Sequence, residues 1–311
     1  MISIIIVSFN TQEILKKCIE AIYDNSISSI FEIIVVDNAS SDGSVAMIES
    51  QFPEIRLIKN SQNLMFSKAN NQGVKISRGS YVLLLNSDAF INFDTIQRMA
   101  DFMELNKNVA AIGPRVLNFD GTLQSKGYPN YGIAHHFYLL FGLSRLPKRL
   151  KQFLFPYYCW EQGDSLEVGI ISGCCMLVRR SAWDAIGGLW EKLYFYGEEI
   201  EWCQRAINAG YQIWYLGTED VTHLGGASTS PNFQRKITTS RLKTFTRLQE
   251  RTLGLPRSFC WALSVCLSLI MRMITLGIFN KNKLKIYKEQ LPWEYMTLIL
   301  FCRKLAKRIR L

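Results

Sequence analysis

The segment 197–202, GEEIEW, places three carboxylates close together beside aromatic side chains. The carboxylates are Glu198, Glu199 and Glu201. Trp202 follows them, and the sequence YFY precedes them at 194–196. Apolar neighbours and like charges raise the pKa of a carboxyl group, so one of these acids could serve as a general base. They would equally suit the first turn of a helix, whose dipole attracts negative charge. The sequence leaves both interpretations open.

Polar residues also follow the predicted strands of the N-terminal part. Continuous aliphatic runs, as in IIIV, IIVV and VLLL, predict buried strands, and apolar residues at helical spacing separate them. The polar groups that follow these strands are residues 8–10, 37–42 and 86–88. Alternating strands and helices predict an α/β fold with a mostly parallel sheet, which binds ligands beyond the carboxyl ends of its strands. We therefore expect the three polar groups to form one crevice.

The motifs around the expected crevice limit the ways in which it could bind phosphates. Neither a G-x-G-x-x-G fingerprint nor a P-loop occurs, so bound phosphates would need another partner. Asp88 stands at the end of LLLNSDA, directly after a predicted strand. A lone NSD often marks a turn, but a carboxylate in this position is also a hard-oxygen ligand for Mg²⁺ or Mn²⁺. Such an ion would neutralise a bound diphosphate.

Composition indicates a globular protein with an uneven distribution of charge. The 311 residues are 48% hydrophobic and 20% charged, and the net charge is +10. From Arg235 onward there are 17 Lys and Arg against 3 Asp and Glu. The basic character therefore belongs to the tail, and we expect a catalytic domain over 1–234 and an extension over 235–311. Eight cysteines include no C-x-x-C pair, which favours reduced packing residues.

The first ten residues, MISIIIVSFN, predict a β-strand and not a signal peptide. They have no basic n-region and no small-residue cleavage site. We therefore expect the catalytic part to be cytoplasmic.

Taken in order, the motifs resemble the inverting family 2 glycosyltransferases with the GT-A fold, especially the bacterial rhamnosyltransferase-like members. The motifs are IIIVSFN, VVDNASSDGS, NLMFSKANNQG, LLLNSDA, SGCCMLVRR, IGGLWEKLYFYGEEIEWCQRAINAGY and VTHLGGAST. Together they span roughly residues 2–230. Each motif is weak by itself, whereas seven in the family's order are specific.

The resemblance implies roles for individual residues. Phe9 and Asp37 would hold the nucleobase, Asp88 would bind the divalent metal, and His223 would ligate that metal or contact the diphosphate. Glu199 matches the general base, with Glu198 beside it. The segment 170–176 would line the donor-sugar and acceptor side, where Gly173, Cys174 and Trp202 would form the pocket. The aromatics near the acids would stack on sugars and shield the base from water.

Several positions depart from the family's usual pattern. Glu199 and Glu201 stand where Asp is usual, so the choice of Glu199 over Glu198 depends on a longer side chain reaching the acceptor. Trp190 also replaces a frequent Asp. Met65 and Ala69 replace frequent glycines, which affects the expected donor-nucleotide contacts there.

The tail combines basic and apolar segments. Residues 235–253 predict a basic amphipathic helix, and the uncharged run 258–271 is too short for a bilayer span of about 20 residues. Extending the run to 279 would place Arg272 in lipid, which is costly. We therefore expect helices lying in the interface, with the basic stretches beyond them drawn to anionic headgroups. A helical hairpin packed on the catalytic domain, or on a twin subunit in a homo-oligomer, is the alternative. No nucleic-acid module accompanies the charge, so no nucleic-acid partner is expected.

These observations predict a metal-dependent inverting glycosyltransferase at the cytoplasmic face of a bacterial membrane. Its donor would be a nucleotide diphosphate sugar, with rhamnose as one candidate sugar, and its acceptor a lipid-linked or cell-surface glycan. Two other functions fit parts of the sequence. A nucleotidyltransferase would use the same crevice without the aromatic acidic segment, and a non-catalytic sugar-binding protein would need neither metal nor base.

Overall fold

A computed structural model describes most of the N-terminal two thirds of the chain and one long helix of the tail. The described residues are 1–23, 31–125, 127–128, 143, 146–154, 163–193, 197–225, 247–248, 250–251, 254–277 and 299. The aromatic residues 194–196 and the basic stretches of the tail beyond 277 lie outside them.

The strands of the described part are short and mostly buried. They are β1 (Ile2–Ser8), β2 (Phe31–Asp37), β3 (Arg56–Lys59), β4 (Tyr81–Asn86), β5 (Ala89–Phe90), β6 (Val109–Leu117), β7 (Leu123–Ser125), β8 (Leu166–Val168), β9 (Cys175–Arg179) and β10 (Gln212–His223). The predicted first strand is confirmed as β1, whose Ile4, Ile5 and Ile6 are fully buried. A strand covered on both faces needs apolar residues at successive positions, which explains the continuous aliphatic run.

The helices alternate with the strands as the sequence periodicity predicts. They are α1 (Gln12–Ile22), α2 (Ser44–Gln51), α3 (Met65–Ile76), α4 (Phe93–Leu105), α5 (Lys148–Leu154), α6 (Arg180–Ile186), α7 (Glu198–Asn208) and α8 (Leu255–Gly277). Helix α1 buries Leu15, Cys18, Ile19 and Ile22, which recur at helical spacing on one face. Helix α7 begins after Gly197, whose φ of +98° is easily adopted only by glycine.

The strands form one sheet, in which neighbouring strands follow the order β3-β2-β1-β4-β9-β6-β10-β5. The first four of these strands are parallel, with Ile4 of β1 opposite Ile33 of β2 and Leu83 of β4. Their carboxyl ends therefore lie along one edge, as predicted.

Beyond β4 the sheet is mixed, which corrects the expectation of a mostly parallel sheet. Strand β9 is antiparallel to both β4 and β6, whereas β10 is parallel to β6 and antiparallel to β5 and β8. The sequence pattern identified the first four strands, and their alternation with helices is typical of parallel pairing. Strand β9 enters between β4 and β6 from a distant part of the chain, so local periodicity does not reveal its direction.

The chain divides into two compact units, and the second also includes a segment from within the range expected for the catalytic domain. One comprises residues 1–128 and 161–235, and contains the sheet. The other comprises residues 129–160 and 236–311, and contains α5 and α8. The second unit has 20 Lys and Arg against 3 Asp and Glu, a formal charge of +17, which leaves −7 for the first unit. We call them the catalytic unit and the basic unit.

Helix α8 has 23 residues and includes Arg272. Within the described residues, no helix combines the length and the apolar character that crossing a bilayer requires.

Candidate active site

The polar groups at the ends of β1 and β4 are joined by hydrogen bonds in the catalytic unit. The hydroxyl of Ser8 lies 3.0 Å from that of Thr11, and Thr11 donates to Ser87 Oγ at 3.2 Å. All three residues are buried. The polar residues that follow β1 and β4 therefore lie together at this edge of the sheet, as predicted.

A second set of contacts ties the end of β1 to the turn after β2. The backbone N–H of Asn10 donates to Ser40 Oγ at 2.9 Å, and the Ser41 N–H donates to Asn10 Oδ1 at 2.7 Å. Asn10 and Ala39 have φ values of +53° and +65°, which residues other than glycine seldom adopt. Such strained backbone is concentrated at ligand sites in proteins.

Asp37 lies at the base of this turn, and one of its carboxylate oxygens makes no hydrogen bond to the described residues. Its side chain is 1% exposed, and Oδ2 accepts from the Ser40 N–H at 2.9 Å. The other oxygen, Oδ1, is buried and has no hydrogen-bond partner among the described residues. A buried acceptor without a partner costs about 1–3 kcal/mol, so this oxygen is suited to a donor group on a ligand. Phe9 is partly buried at the end of β1.

Asp88 and His223 come together although 135 positions separate them in the sequence. Strand β10 pairs with β5 so that His223 lies opposite Ala89, which brings its ring beside Asp88. His223 Nε2 lies 3.1 Å from Asp88 Oδ1 and 3.3 Å from Asn86 Nδ2. Asp88 is 4% exposed.

Gln124 determines which nitrogen of His223 faces Asp88. Its Nε2 donates to the carbonyl oxygen of His223 at 2.8 Å and to Asn118 Oδ1 at 2.9 Å, so its Oε1 is an acceptor. That oxygen lies 2.7 Å from His223 Nδ1, which therefore carries the proton. In the neutral ring, Nε2 then presents a lone pair to the Asp88 carboxylate. Asn86 Nδ2 is the donor that this lone pair can accept from, at 3.3 Å.

The structure places Glu198 and Glu199 beside this pair. A pocket of about 160 Å³ is lined by Phe66, Asn86, Ser172, Gly173, Cys174, Glu198, Glu199 and His223. Both neighbouring acids of the GEEIEW segment therefore face the same space as His223.

The surroundings of Glu199 make its carboxylate a stronger proton acceptor than an ordinary glutamate. Burial raises the pKa of its carboxyl group, while hydrogen bonds from the backbone N–H groups of Gly197 and of Glu199 itself act in the opposite direction. The net pKa is above the ordinary value. A Cβ atom added to Gly173 would lie 3.5 Å from Glu199 Oε2, so the backbone at Gly173 forms one wall against this carboxylate.

Glu201, the third acid, has a structural partner. The N–H of Arg205 Nε is shared between its two carboxylate oxygens, at 2.9 and 3.0 Å, and Arg205 Nη2 donates to Oε2 at 2.9 Å. Arg205 also donates to the carbonyl oxygens of Gly187 and Gly188, at 3.1 and 2.6 Å. The Glu201 side chain is 1% exposed. Glu201 thus orients Arg205, which fixes α7 to the preceding loop, and Glu201 is not in the pocket lining.

Trp202, expected in the donor and acceptor pocket, lies in the hydrophobic interior instead. It is 0% exposed, its ring stacks on Trp183 at 5.8 Å, and its indole Nε1 donates to the carbonyl oxygen of Gly187 at 2.9 Å. The side chain is buried because it packs against Trp183 of α6 and is held by its hydrogen bond to the loop that follows α6. It therefore has no free face for a sugar. The other expected aromatics, at 194–196, are outside the described residues.

Cys174 lines the pocket as an uncharged group. Burial raises the pKa of its thiol to about 12, so the thiol stays neutral at physiological pH. Ser172 donates to Cys174 Sγ at 3.3 Å.

Some residues of this site were not predicted from the sequence. Phe66 lines the pocket, and Gln124 orients His223 through contacts that span 99 positions. Asn71 donates to the carbonyl oxygen of Leu189 at 2.9 Å and accepts from its N–H at 2.9 Å, which anchors the segment leading to α7. Asn71 belongs to the NLMFSKANNQG motif, whereas no sequence signal identifies Gln124.

The unusual Met65 has a backbone explanation. Its φ is +66°, in the left-handed region that favours glycine. The frequent glycine at this position of the family therefore suits the backbone, and methionine adopts the same conformation here at a cost of about 1 kcal/mol.

Comparison with known proteins identifies the family of the chain. The family described as glycosyl transferase family 2 matches residues 3–187. The chain is therefore a member of glycosyl transferase family 2.

Its relatives include enzymes of glycan assembly. A low-salt glycan biosynthesis hexosyltransferase of Haloferax volcanii is 30% identical over 227 residues, which are 71% of this chain and 66% of that protein. An N-acetylglucosaminyl-diphospho-decaprenol L-rhamnosyltransferase of Mycobacterium tuberculosis is 24% identical over 276 residues, 82% of this chain and 87% of that protein. A further relative, an uncharacterized Sinorhizobium fredii protein, is matched over only 25% of its length. The chain thus spans less than two thirds of some relatives.

Solved structures support the fold. A mannosyltransferase of Pyrobaculum calidifontis in complex with GDP-Man and Mn²⁺ has a TM-score of 0.57 at 13% identity, covering 97% of this chain and 86% of that one. TarS 1–349 of S. aureus in complex with UDP has a TM-score of 0.52 at 15% identity, covering 90% and 75%. The catalytic unit accordingly has the mixed α/β sheet of the GT-A-like glycosyltransferases.

Proposed function

We propose that this protein is a metal-dependent inverting glycosyltransferase that uses a nucleotide diphosphate sugar. The observation that carries the proposal is the shared pocket: Glu199, whose pKa is raised by burial, lines the same space as His223, which contacts Asp88. A proton acceptor and a cation-binding pair on one pocket suit displacement of a diphosphate by an activated hydroxyl.

Asp88 and His223 fit a divalent cation. Among the described residues there is no cluster of three or more candidate ligands, so the two side chains would leave coordination positions for other oxygens. A carboxylate and an imidazole suit Mn²⁺, and the orientation of His223 by Gln124 is the outer support that metal-binding histidines usually have. Such a cation, when bound, would offset the negative charge that develops on the leaving diphosphate.

In the catalytic step, Glu199 would take the proton from an acceptor hydroxyl. That oxygen would then attack the anomeric carbon from the face opposite the nucleotide, so that the new glycosidic bond forms as the bond to the diphosphate breaks. A single displacement inverts the anomeric configuration. Glu198, buried beside it on the pocket wall, is the other candidate for this role.

The nucleobase would lie at the ends of β1 and β2. The buried Asp37 Oδ1 would accept from an N–H of the base, and Phe9 would pack against its ring. Gly173 and Cys174 would border the sugar on the opposite wall.

For the acceptor, we propose a lipid-linked or growing cell-surface glycan at the cytoplasmic face of a bacterial membrane. Rhamnose is one candidate for the sugar that is transferred to it. The Mycobacterium relative is named for a diphospho-decaprenol acceptor and for rhamnosyl transfer. Location at an anionic membrane is supported by the +17 charge of the basic unit and by one side of α8. On that side Leu263, Leu267 and Ile270 are 39%, 52% and 42% exposed, at the spacing of a helical stripe.

The test is release of nucleotide diphosphate from a panel of nucleotide sugars, with and without Mn²⁺, and with lipid-linked acceptors. Metal-dependent release that requires an acceptor supports the proposal. Release of inorganic diphosphate from nucleoside triphosphates would indicate a nucleotidyltransferase. Sugar binding without turnover under any condition would indicate a non-catalytic protein.

A further inference from the structure

Helix α5 belongs to the basic unit although its sequence lies between two strands of the catalytic unit. The segment 129–160 contains 4 Lys and Arg and no Asp or Glu. It joins the C-terminal part of the chain, 236–311, in the basic unit. The positive charge of the tail is therefore extended by an insertion in the middle of the chain.

The short helix α5 presents apolar side chains to solvent. Its sequence is KRLKQFL, in which three of seven residues are basic. Phe153 is 81% exposed, Leu154 is 50% exposed and Leu150 is 43% exposed. These three positions are at i, i+3 and i+4, so they lie on one side of the helix. Arg149 is also exposed.

Exposed apolar groups accompanied by positive charge suit the interface of an anionic bilayer. Apolar side chains gain free energy by entering the region between headgroups and acyl chains, and basic side chains are attracted by the phosphates. A second copy of the chain would bring two units of +17 together, which opposes association at this surface. A nucleic acid would use the charge but would gain little from Leu150 and Leu154.

We propose that α5 is a membrane-contacting helix, which inserts Phe153, Leu154 and Leu150 into the interfacial layer of an anionic membrane. This inference rests on the membrane location proposed above for the tail and is independent of the catalytic chemistry. It gives the basic unit a second membrane contact, in addition to that of α8.

The test is the binding of the full chain to vesicles of phosphatidylcholine, with or without phosphatidylglycerol, measured by flotation. Phe153→Ser should weaken binding to the anionic vesicles about tenfold, as expected for partial burial of one aromatic side chain. Arg149→Ala should weaken the same binding about fivefold, which corresponds to about 1 kcal/mol per basic residue at the surface. Leu105→Ser is the matched control, because Leu105 is 85% exposed on α4 of the catalytic unit, and it should leave binding unchanged.

The outcomes separate the alternatives. If Phe153→Ser and Arg149→Ala bind like the unmodified protein while Leu267→Ser binds weakly, α8 holds the membrane and the inference about α5 is wrong. If Leu267→Ser also binds like the unmodified protein, together with the Phe153, Arg149 and Leu105 variants, the proposed membrane location of the tail is wrong as well. A dimer in lipid-free buffer that Phe153→Ser dissociates would show that a second copy covers this surface. Loss of binding to a mixed-sequence RNA with vesicle binding intact would identify a nucleic-acid surface. Because no assay here requires turnover, these results leave the proposed sugar transfer untouched.

Discussion

The substitution Glu199→Gln isolates the proton-accepting role of one carboxylate. Glutamine keeps the shape of the side chain and one oxygen that can accept from the backbone N–H groups of Gly197 and residue 199. It removes the basicity that burial has raised. The wall formed by Gly173 and the Asp88–His223 pair stay as they are, so the substrates should bind in the same place.

The expected loss in kcat is about two to four orders of magnitude, the usual contribution of a positioned general base. This corresponds to about 3–5 kcal/mol of transition-state stabilisation. The dissociation constant of the donor, measured by calorimetry, should hardly change, because Asp37 and Asp88 lie at the ends of other strands. The assay is nucleotide diphosphate release in Mn²⁺ with the donor found in the panel.

The pH dependence follows from the direction of the pKa shift. Since burial raises the pKa of Glu199, kcat should fall as the pH drops through a value above the ordinary glutamate pKa, and this limb should be absent in Glu199→Gln. The folded state also holds this proton more tightly than the unfolded state. Ionised Glu199 therefore lowers stability above its folded pKa, and the variant should melt higher there. The difference should vanish below about pH 4.3, the unfolded value.

Glu198→Gln is the matched control, since Glu198 lines the same pocket. A larger loss of kcat for Glu198→Gln would transfer the role of base to Glu198. If both variants are folded and turn over at the normal rate, the acids only begin α7 and the reasoning from the pocket is refuted.

Other predictions concern the cation pair, the structural acid and the tail. Asp88→Ala should abolish Mn²⁺-dependent turnover in a folded protein, and near-normal activity would remove Asp88 from the site. His223→Ala should weaken Mn²⁺ and donor binding, whereas unchanged dissociation constants would make its role structural. Glu201→Gln should lower stability by about 3 kcal/mol in denaturant unfolding, because it leaves a largely buried Arg205 without its partner, while kcat of the folded fraction stays near normal. Leu267→Ser should reduce binding to anionic vesicles about fivefold and leave zwitterionic binding weak, and equal binding would place the contact elsewhere.

The amino-acid sequence by itself was sufficient to predict the parallel part of the fold and the meeting of polar residues at one edge of the sheet. Continuous aliphatic runs identify β1, β2 and β4, because a strand buried on both faces allows no polar alternation. The polar residues that follow each run must then meet at one edge, since parallel strands end on the same side. The motifs in their order were sufficient to identify the family, which the comparison confirms.

Tertiary structure alone decided which acidic and aromatic residues face the pocket. Glu199 and Glu201 are two positions apart, but the helix turns about 200° between them, so one faces the pocket and the other meets Arg205. Packing against Trp183 of α6, which no local pattern reveals, buries Trp202. Gln124 reaches His223 only because β7 pairs with β6 near the end of β10. Likewise, only the contacts between distant segments assign α5 to the basic unit, because sequence proximity would have joined it to the strands on either side.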